Sequence, residues 1–398
     1  MAEVTEKELE FMSIARNAGM FKTKSLLSTM YPAFKFLVMS TGLITCIGQV
    51  VVKMRDESPD LFVLVEALHW VGVLFMMLTW QLRMWLGTKS YFSMNDDIKA
   101  GFYKYSVPFE SEDIALIQSG NDESRRFQKR FNVVIFFGCF SSMLRDPIFG
   151  ETIHEEGSEV TRLKFYNTWF PFQVNTWPRY GLVCVFQFFL GLSVLITSMA
   201  VVSLIIGGLI QLSTSFRLLQ LKISRAHLYA ENQAKKNQKS YEDTLYEYLV
   251  ECVKHHQALI RFFRVYQNSI ALSFLVSYLN AGVIICTVGF IITDPDSNLR
   301  SSIAFLSVVA TEFIFFGGLC YYGERIVQES GRIFEAVYNT PWYTQSKRLS
   351  FLYYMFMVRS RKPLTPSAYG LKAMSLSTFG DILQAAYSYL NMLSATRK

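Results

Sequence analysis

The residues of this chain best suited to chemistry lie near its end. On a helix drawn at about 100° per residue, Ser377, Asp381, Gln384, Ser388, Asn391 and Ala395 share one stripe about 80° wide. The opposite side carries Ile382, Ala386, Leu390 and Leu393. Within hydrocarbon such a stripe is costly unless it faces water or protein. One reading is a pore-lining helix, ringed by equivalents from other subunits. Gln384 and Asn391 would keep that lumen hydrated, and Met392 on the stripe's flank would form a dewetting constriction. The other reading is a helix inside a single bundle that uses its polar groups as interhelical glue. Pattern alone leaves both open.

Other reactive groupings are weaker. Cys252, His255 and His256 resemble metal spacing, but they sit on an amphipathic helix with no further ligands, so no metal is expected. Cys46, Cys139, Cys184, Cys286 and Cys320 fall within apolar runs, and no loop offers a disulfide pair. There is no Gly-rich phosphate loop and no nucleophile elbow, so neither an enzyme nor a cofactor is expected.

The elements that must position these residues follow from composition. The 398 residues are 51% hydrophobic and 18% charged, with 34 Phe. Soluble domains carry about 25% charged residues. Disorder, a disulfide-stapled secreted module and a nucleic-acid partner are excluded. A net charge of +7 suits a membrane protein lying against anionic lipid. Apolar runs long enough to cross, at about 20 residues each, occur at Ala33–Val52, Leu61–Leu82, Gly181–Gln211, Ser269–Ile292 and Ser301–Tyr322. A shorter run, Phe131–Leu144, extends toward Phe149, and Leu376–Thr396 is a seventh, more polar candidate.

An all-α membrane protein of seven spans is therefore expected. Residues 1–32 form an N-terminal segment, and 33–211 hold spans one to four. Helical extensions occupy 212–268, spans five and six 269–322, a further helical region 323–375, and the last span with its tail 376–398. The opening stretch has no apolar signal region, and Phe11–Phe21 reads as weakly amphipathic. Lys and Arg are about equally dense on both sides, so charge does not fix the topology. The prolines fall outside the spans or at an outer edge, as for Pro147. With no Asp-Arg-Tyr or Asn-Pro-x-x-Tyr element, this argues against a G-protein-coupled receptor. Apolar residues at helical spacing and the absence of Pro or Gly predict one unbroken helix from Tyr241 to Ile292, about 78 Å long. The fourth span runs on through Phe216–Ala230, the sixth through Tyr338, and Ser346–Val358 forms a short apolar helix.

Polar and aromatic positions within the spans mark an interior face. Phe62, Glu66, His69, Trp70 and Val73 lie on the second span, and Phe140 and Ser141 on the third. Tyr180, Cys184 and Phe188 open the fourth. Ser269, Ser273, Ser277 and Asn280 share a side of the fifth, and Ser307, Thr311, Glu312 and Phe315 a side of the sixth. A cavity lined this way is aromatic, weakly polar and suited to a small volatile hydrophobe. Ordinary bundle packing is the competing account of each residue. Glu66 and Glu312 stand out, because an acid at that depth has a partner or a role.

Near the C-terminus, Asn339-Thr-Pro-Trp-Tyr343, Arg359-Ser-Arg-Lys-Pro363, Ser375-Leu-Ser-Thr-Phe379 and Ala386-Tyr-Ser-Tyr-Leu390 occur in order. This succession resembles the C-terminal signature of insect odorant receptors. Arg361 fills a variable slot, while Ala386 and Leu390 replace the family's Ser and Phe. Outside this region the resemblance is limited to length, span number and the short Pro171–Gln173 element.

The resemblance implies a cytoplasmic N-terminus, inverted relative to G-protein-coupled receptors, and an odorant-gated non-selective cation channel. It also implies heterotetrameric assembly with the odorant receptor co-receptor through cytoplasmic anchor helices, in the plasma membrane of sensory neurons. By the same resemblance the last span lines the pore, with Met392 near the gate and Thr396 one turn farther out, and the stripe adds Gln384, Ser388, Asn391 and Ala395 as pore candidates. The odorant site takes Phe62, His69, Trp70, Val73, Phe140, Ser141, Tyr180, Cys184, Phe188, Ser307 and Thr311. The short segment between spans four and five and the ending Ser394-Ala-Thr-Arg-Lys398 point to the odorant-tuning subunit rather than the co-receptor. The alternatives are a gustatory-type homotetrameric channel, whose usual Thr-Tyr-x-x-x-Gln ending is absent, and, more remotely, a metabotropic receptor or a transporter.

Overall fold

The computed structural model describes residues 26–56, 61–149, 168–172, 174, 176–237, 240–292 and 299–396. Phe11–Phe21 and Gln173 lie outside them. The side chains of Phe62, Ser141, Ala395 and Thr396 likewise lie outside what is described.

The helices are α1 (Leu26–Arg55), α2 (Leu61–Leu86), α3 (Thr88–Lys99), α4 (Ser111–Phe149), α5 (Trp177–Asn237), α6 (Tyr241–Ile292), α7 (Leu299–Tyr338), α8 (Lys347–Ser360) and α9 (Leu376–Thr396). A two-stranded hairpin, β1 (Ser367–Ala368) with β2 (Lys372–Ala373), precedes α9. Among the described residues five helices, α1, α2, α5, α6 and α7, are long and apolar enough to cross a membrane. Two differences from expectation are instructive. The first helix begins before Pro32, which lies inside it, and the Pro32 carbonyl accepts a hydrogen bond from Gln81 Nε2 on α2 at 3.0 Å. The helix of the third expected span, α4, starts at Ser111, well ahead of its apolar run. Its amphipathic first half was hidden because charged residues break the hydropathy signal there.

The packing is built round α5. From Ala200 to Ile210 every residue is buried, as a helix apolar on all sides requires. Helices α2 and α6 are joined by Trp80 Nε1 donating to Ser277 Oγ at 3.1 Å and Asn280 Nδ2 donating to the Gly72 carbonyl at 2.9 Å. These polar positions of the fifth span serve as glue between helices. The Tyr266 hydroxyl donates to the Ile205 carbonyl at 2.8 Å and ties α6 to α5.

Outside the apolar spans, α4 opens with the back-reaching half of a capping box, the Glu110 N–H donating to Asp113 Oδ2 at 2.9 Å. The same oxygen takes Lys222 Nζ of α5 at 2.5 Å in a buried ion pair, with the Tyr105 and Phe109 rings within 5.4 and 5.1 Å of the ammonium. Arg225 pairs with Glu110 at 2.9 Å and with Glu112 nearer solvent. Removing one partner of a buried pair strands the other charge. Asp113→Ala should therefore destabilise the solubilised chain by about 3–5 kcal/mol, whereas Glu110→Ala, at an exposed carboxylate, should cost under about 1 kcal/mol. Thermal unfolding in detergent measures both.

His255 bonds the Tyr105 hydroxyl through Nδ1 at 2.8 Å and stacks on Tyr103. Burial pushes its imidazole down to about 3 and the Cys252 thiol up to about 12, so both groups are neutral packing elements. Among the described residues no cluster of three or more His, Cys, Asp or Glu could hold a metal.

The C-terminal region is held by local caps and by backbone contacts to α6 and α7. Ser346 Oγ caps α8 by accepting from the Leu349 N–H, and Ser375 Oγ caps α9 by accepting from the Thr378 N–H at 3.2 Å. Gln267 of α6 holds Ser367 by both backbone groups, accepting from its N–H at 3.0 Å and donating to its carbonyl. Met374 is wholly buried against Gly323, where an added Cβ would stand 2.5 Å from the Met374 carbonyl oxygen. Backbone cannot yield as a side chain does. Gly323→Ala should cost about 1–3 kcal/mol and lower surface expression, measurable by biotinylation against the wild type.

Candidate functional site

A cavity lies among α2, α4, α5 and α7, and every lining residue arrives at helical spacing. Helix α2 brings His69, Trp70, Val73 and Met77; α4 brings Phe131, Ile135, Gly138 and Cys139. Val194 and Ser198 come from α5, and Val308, Thr311, Glu312 and Phe315 from α7. The free volume is about 50 Å³. A cavity of about 150 Å³ is what holds benzene, so this space is smaller than a one-ring ligand.

Its walls are almost entirely apolar. The two hydroxyls bond within their own helices: Ser198 Oγ donates to the Val194 carbonyl at 2.8 Å, and Thr311 Oγ1 to the Ser307 carbonyl at 2.9 Å. Their lone pairs stay available as acceptors. His69 is wholly buried, edge-on to Trp70, and Glu312 is buried at the opposite wall. Gly138 lets α4 approach α7; a Cβ there would stand 3.2 Å from Thr311 Oγ1.

Of the residues expected at this site, His69, Trp70, Val73 and Thr311 come together here. Ser307 is buried beside it and contributes its carbonyl. Phe140 and Phe188 are half exposed on the outside of the bundle instead. The reason is helical phase. Phe140 lies about 150° round α4 from the mean of Phe131, Ile135, Gly138 and Cys139, and Phe188 about 100° round α5 from Val194 and Ser198. Tyr180 and Cys184 lie in the same stripe as Phe188, half buried and away from the cavity. Met77, Phe131, Ile135 and Val194 were not singled out in sequence because aliphatic and aromatic wall residues look like any core positions.

The polar stripe of α9 is placed with equal definition. Ser377, Asp381, Gln384, Ser388 and Asn391 are all exposed, as is Met392, while Ile382 and Ala386 are buried against the bundle. Within one chain the stripe is therefore not interhelical glue. Helix α9 is clamped to α7 through Phe379, whose ring meets Phe313 at 5.6 Å and Phe316 at 6.3 Å. On α7 these two positions neighbour Glu312 and Phe315 of the cavity wall. Farther along α9, Leu390 packs on Gly289 of α6.

Long apolar helices enclosing a small, mostly apolar cavity suit a multi-pass membrane protein. The model of the 7tm Odorant receptor family matches residues 60–387, and the chain belongs to that family. It is 22% identical over 233 residues to Odorant receptor 67c of Drosophila melanogaster and 24% identical over 273 residues to Odorant receptor 2a of the same fly. Those alignments cover 57% and 66% of this chain, and 54% and 68% of the relatives. The chain thus spans about half the length of the first. The fold is that of the insect olfactory receptor OR5 from Machilis hrabei, solved in complex with eugenol. The TM-score is 0.82 at 12% identity, over 99% of each chain.

Proposed function

We propose that this chain is the odorant-tuning subunit of a ligand-gated, non-selective cation channel, assembled with the odorant receptor co-receptor. It resides in the plasma membrane of sensory neurons, with its N-terminus cytoplasmic. The observation that carries this reading is the exposed polar stripe of α9. A row of Ser, Asp, Gln and Asn on the outside of a membrane bundle is tolerable where it faces an aqueous axis shared with other subunits. Among the motif-bearing C-terminal elements, α8 likewise leaves Phe351, Tyr354, Met355 and Val358 exposed at helical spacing. That face suits burial against neighbouring subunits.

The mechanism follows from the small cavity. A volatile hydrophobe enters between His69 and Trp70 on one side and Thr311 and Glu312 on the other. It favours a state in which these walls stand farther apart, because the narrow state has no room for it. Outward movement of α7 displaces Phe313 and Phe316, and with them Phe379 and α9. Widening of the ring at Asn391 and Met392 then admits hydrated cations.

The test is whole-cell current with and without an insect co-receptor, over volatile esters, terpenes and aromatics. Odorant-evoked cation current that needs both chains supports the tuning-subunit reading. Current from this chain alone would favour the gustatory-type homotetramer. Loss of the response in an excised patch freed of nucleotide and G protein would favour the metabotropic reading.

A further inference from the structure

A second cavity of about 520 Å³ lies away from the first, between α4, α5 and the segment that follows α3. Its size falls in the range of about 300–1,000 Å³ typical of small-molecule sites, and its volume exists without any rearrangement. One wall is fixed by the chain reversal at Gly101 and Phe102, both in the left-handed region at φ +67° and +63°. Phe102 is held there by its ring against Phe262 of α6 at 4.9 Å and by its N–H on the Asp97 carbonyl at 2.7 Å. Farther along, the Ser106 N–H donates to the Glu251 carboxylate at 3.1 Å.

The opposite wall is Ile117 of α4 with Thr214 and Leu218 of α5. The Thr214 hydroxyl donates to the Ile210 carbonyl at 2.9 Å, and Gln211 and Ser215 of α5 add neutral polar groups to an otherwise apolar lining. Among the described residues, the charged ones lining the cavity are Lys99 and Lys104, both exposed at its rim, and no acid lines it. A mostly apolar slot with two cations at its rim matches a hydrocarbon chain with an anionic head. The slot also sits where α5 leaves the apolar run that ends at Gln211.

We propose that this pocket binds an anionic amphiphile, a single hydrocarbon chain carrying a carboxylate or phosphate head held by Lys99 and Lys104. Helices α4 and α5 run unbroken from this slot to the cavity wall at Phe131, Ile135, Val194 and Ser198, so an occupant here sets the spacing of the same pair of helices.

The test is photolabelling of the purified full-length chain with a palmitate analogue carrying a diazirine near its chain end, with adducts mapped by peptide mass. Labelling is expected within 98–117 and 211–218. Oleate or oleoyl-lysophosphatidate should compete at about tenfold lower concentration than oleyl alcohol of the same length. Lys99→Gln with Lys104→Gln should bring the three competitors level while leaving the labelled peptides unchanged. Stronger competition by oleate assigns the site to free fatty acid, and stronger competition by the phosphate ester assigns it to a lipid headgroup. Labelling elsewhere, or equal competition by the alcohol on the wild-type chain, overturns the proposal whether or not the double variant folds. None of these readouts uses gated current, so they stand apart from the receptor function proposed above.

Discussion

Gly138→Leu is expected to abolish the odorant response while the receptor still reaches the cell surface. Position 138 is where α4 comes closest to α7, and even a Cβ would stand 3.2 Å from Thr311 Oγ1. Three further carbons would fill the cavity of about 50 Å³ that a ligand must enter and widen. The half-maximal odorant concentration should rise at least about 100-fold, or about 3 kcal/mol of lost binding. Concentration–response curves in cells that also express the co-receptor measure it. Phe140→Ala and Phe188→Ala supply the contrast. Their rings face outward, and the same curves should move by less than about threefold. Unchanged potency in the Gly138 variant, or a large shift in either Phe variant, would move the binding site elsewhere.

The second large effect concerns α9. Cysteines placed at Ser388 and Asn391 should react with a charged, water-soluble thiosulfonate reagent and lose most of the odorant-evoked current. A cysteine at Ala386 should react at least about tenfold more slowly, because that face is packed on the bundle. Co-expressed channels with agonist present are the preparation, since the stripe is predicted to be wettest when the pore is open. Equal reactivity on both faces would mean that α9 does not keep this packing in the assembly. Slow reaction at both Ser388 and Asn391 would place the stripe against protein or lipid.

Much of this was legible in the chain before any coordinates. The helical continuity from Tyr241 to Ile292, the extension of the sixth span to Tyr338 and the short helix after Pro341 are all present as read. These depend on local chemistry: hydrophobic period, proline placement and capping serines act over a few residues. The C-terminal motifs were legible for the same reason. Ser375 caps α9 locally, and Phe379 reads as an aromatic at its first turn. What that ring touches on α7 was not legible.

The cavity among α2, α4, α5 and α7 marks the boundary between the two kinds of information. The sequence by itself determined a multi-helix membrane protein, its polar last helix, and which residue types populate each apolar face. Tertiary structure decided the rotation of each helix about its axis. That rotation sets Phe140 and Phe188 outward and turns Gly138, Val194 and Phe315 inward. It also turns the stripe of α9 away from its own bundle, which periodicity could not choose. A hydropathy pattern records which side of a helix differs from the other. In a bilayer lipid and core are equally apolar, so only contacts between helices tell an aromatic facing lipid from one facing a ligand.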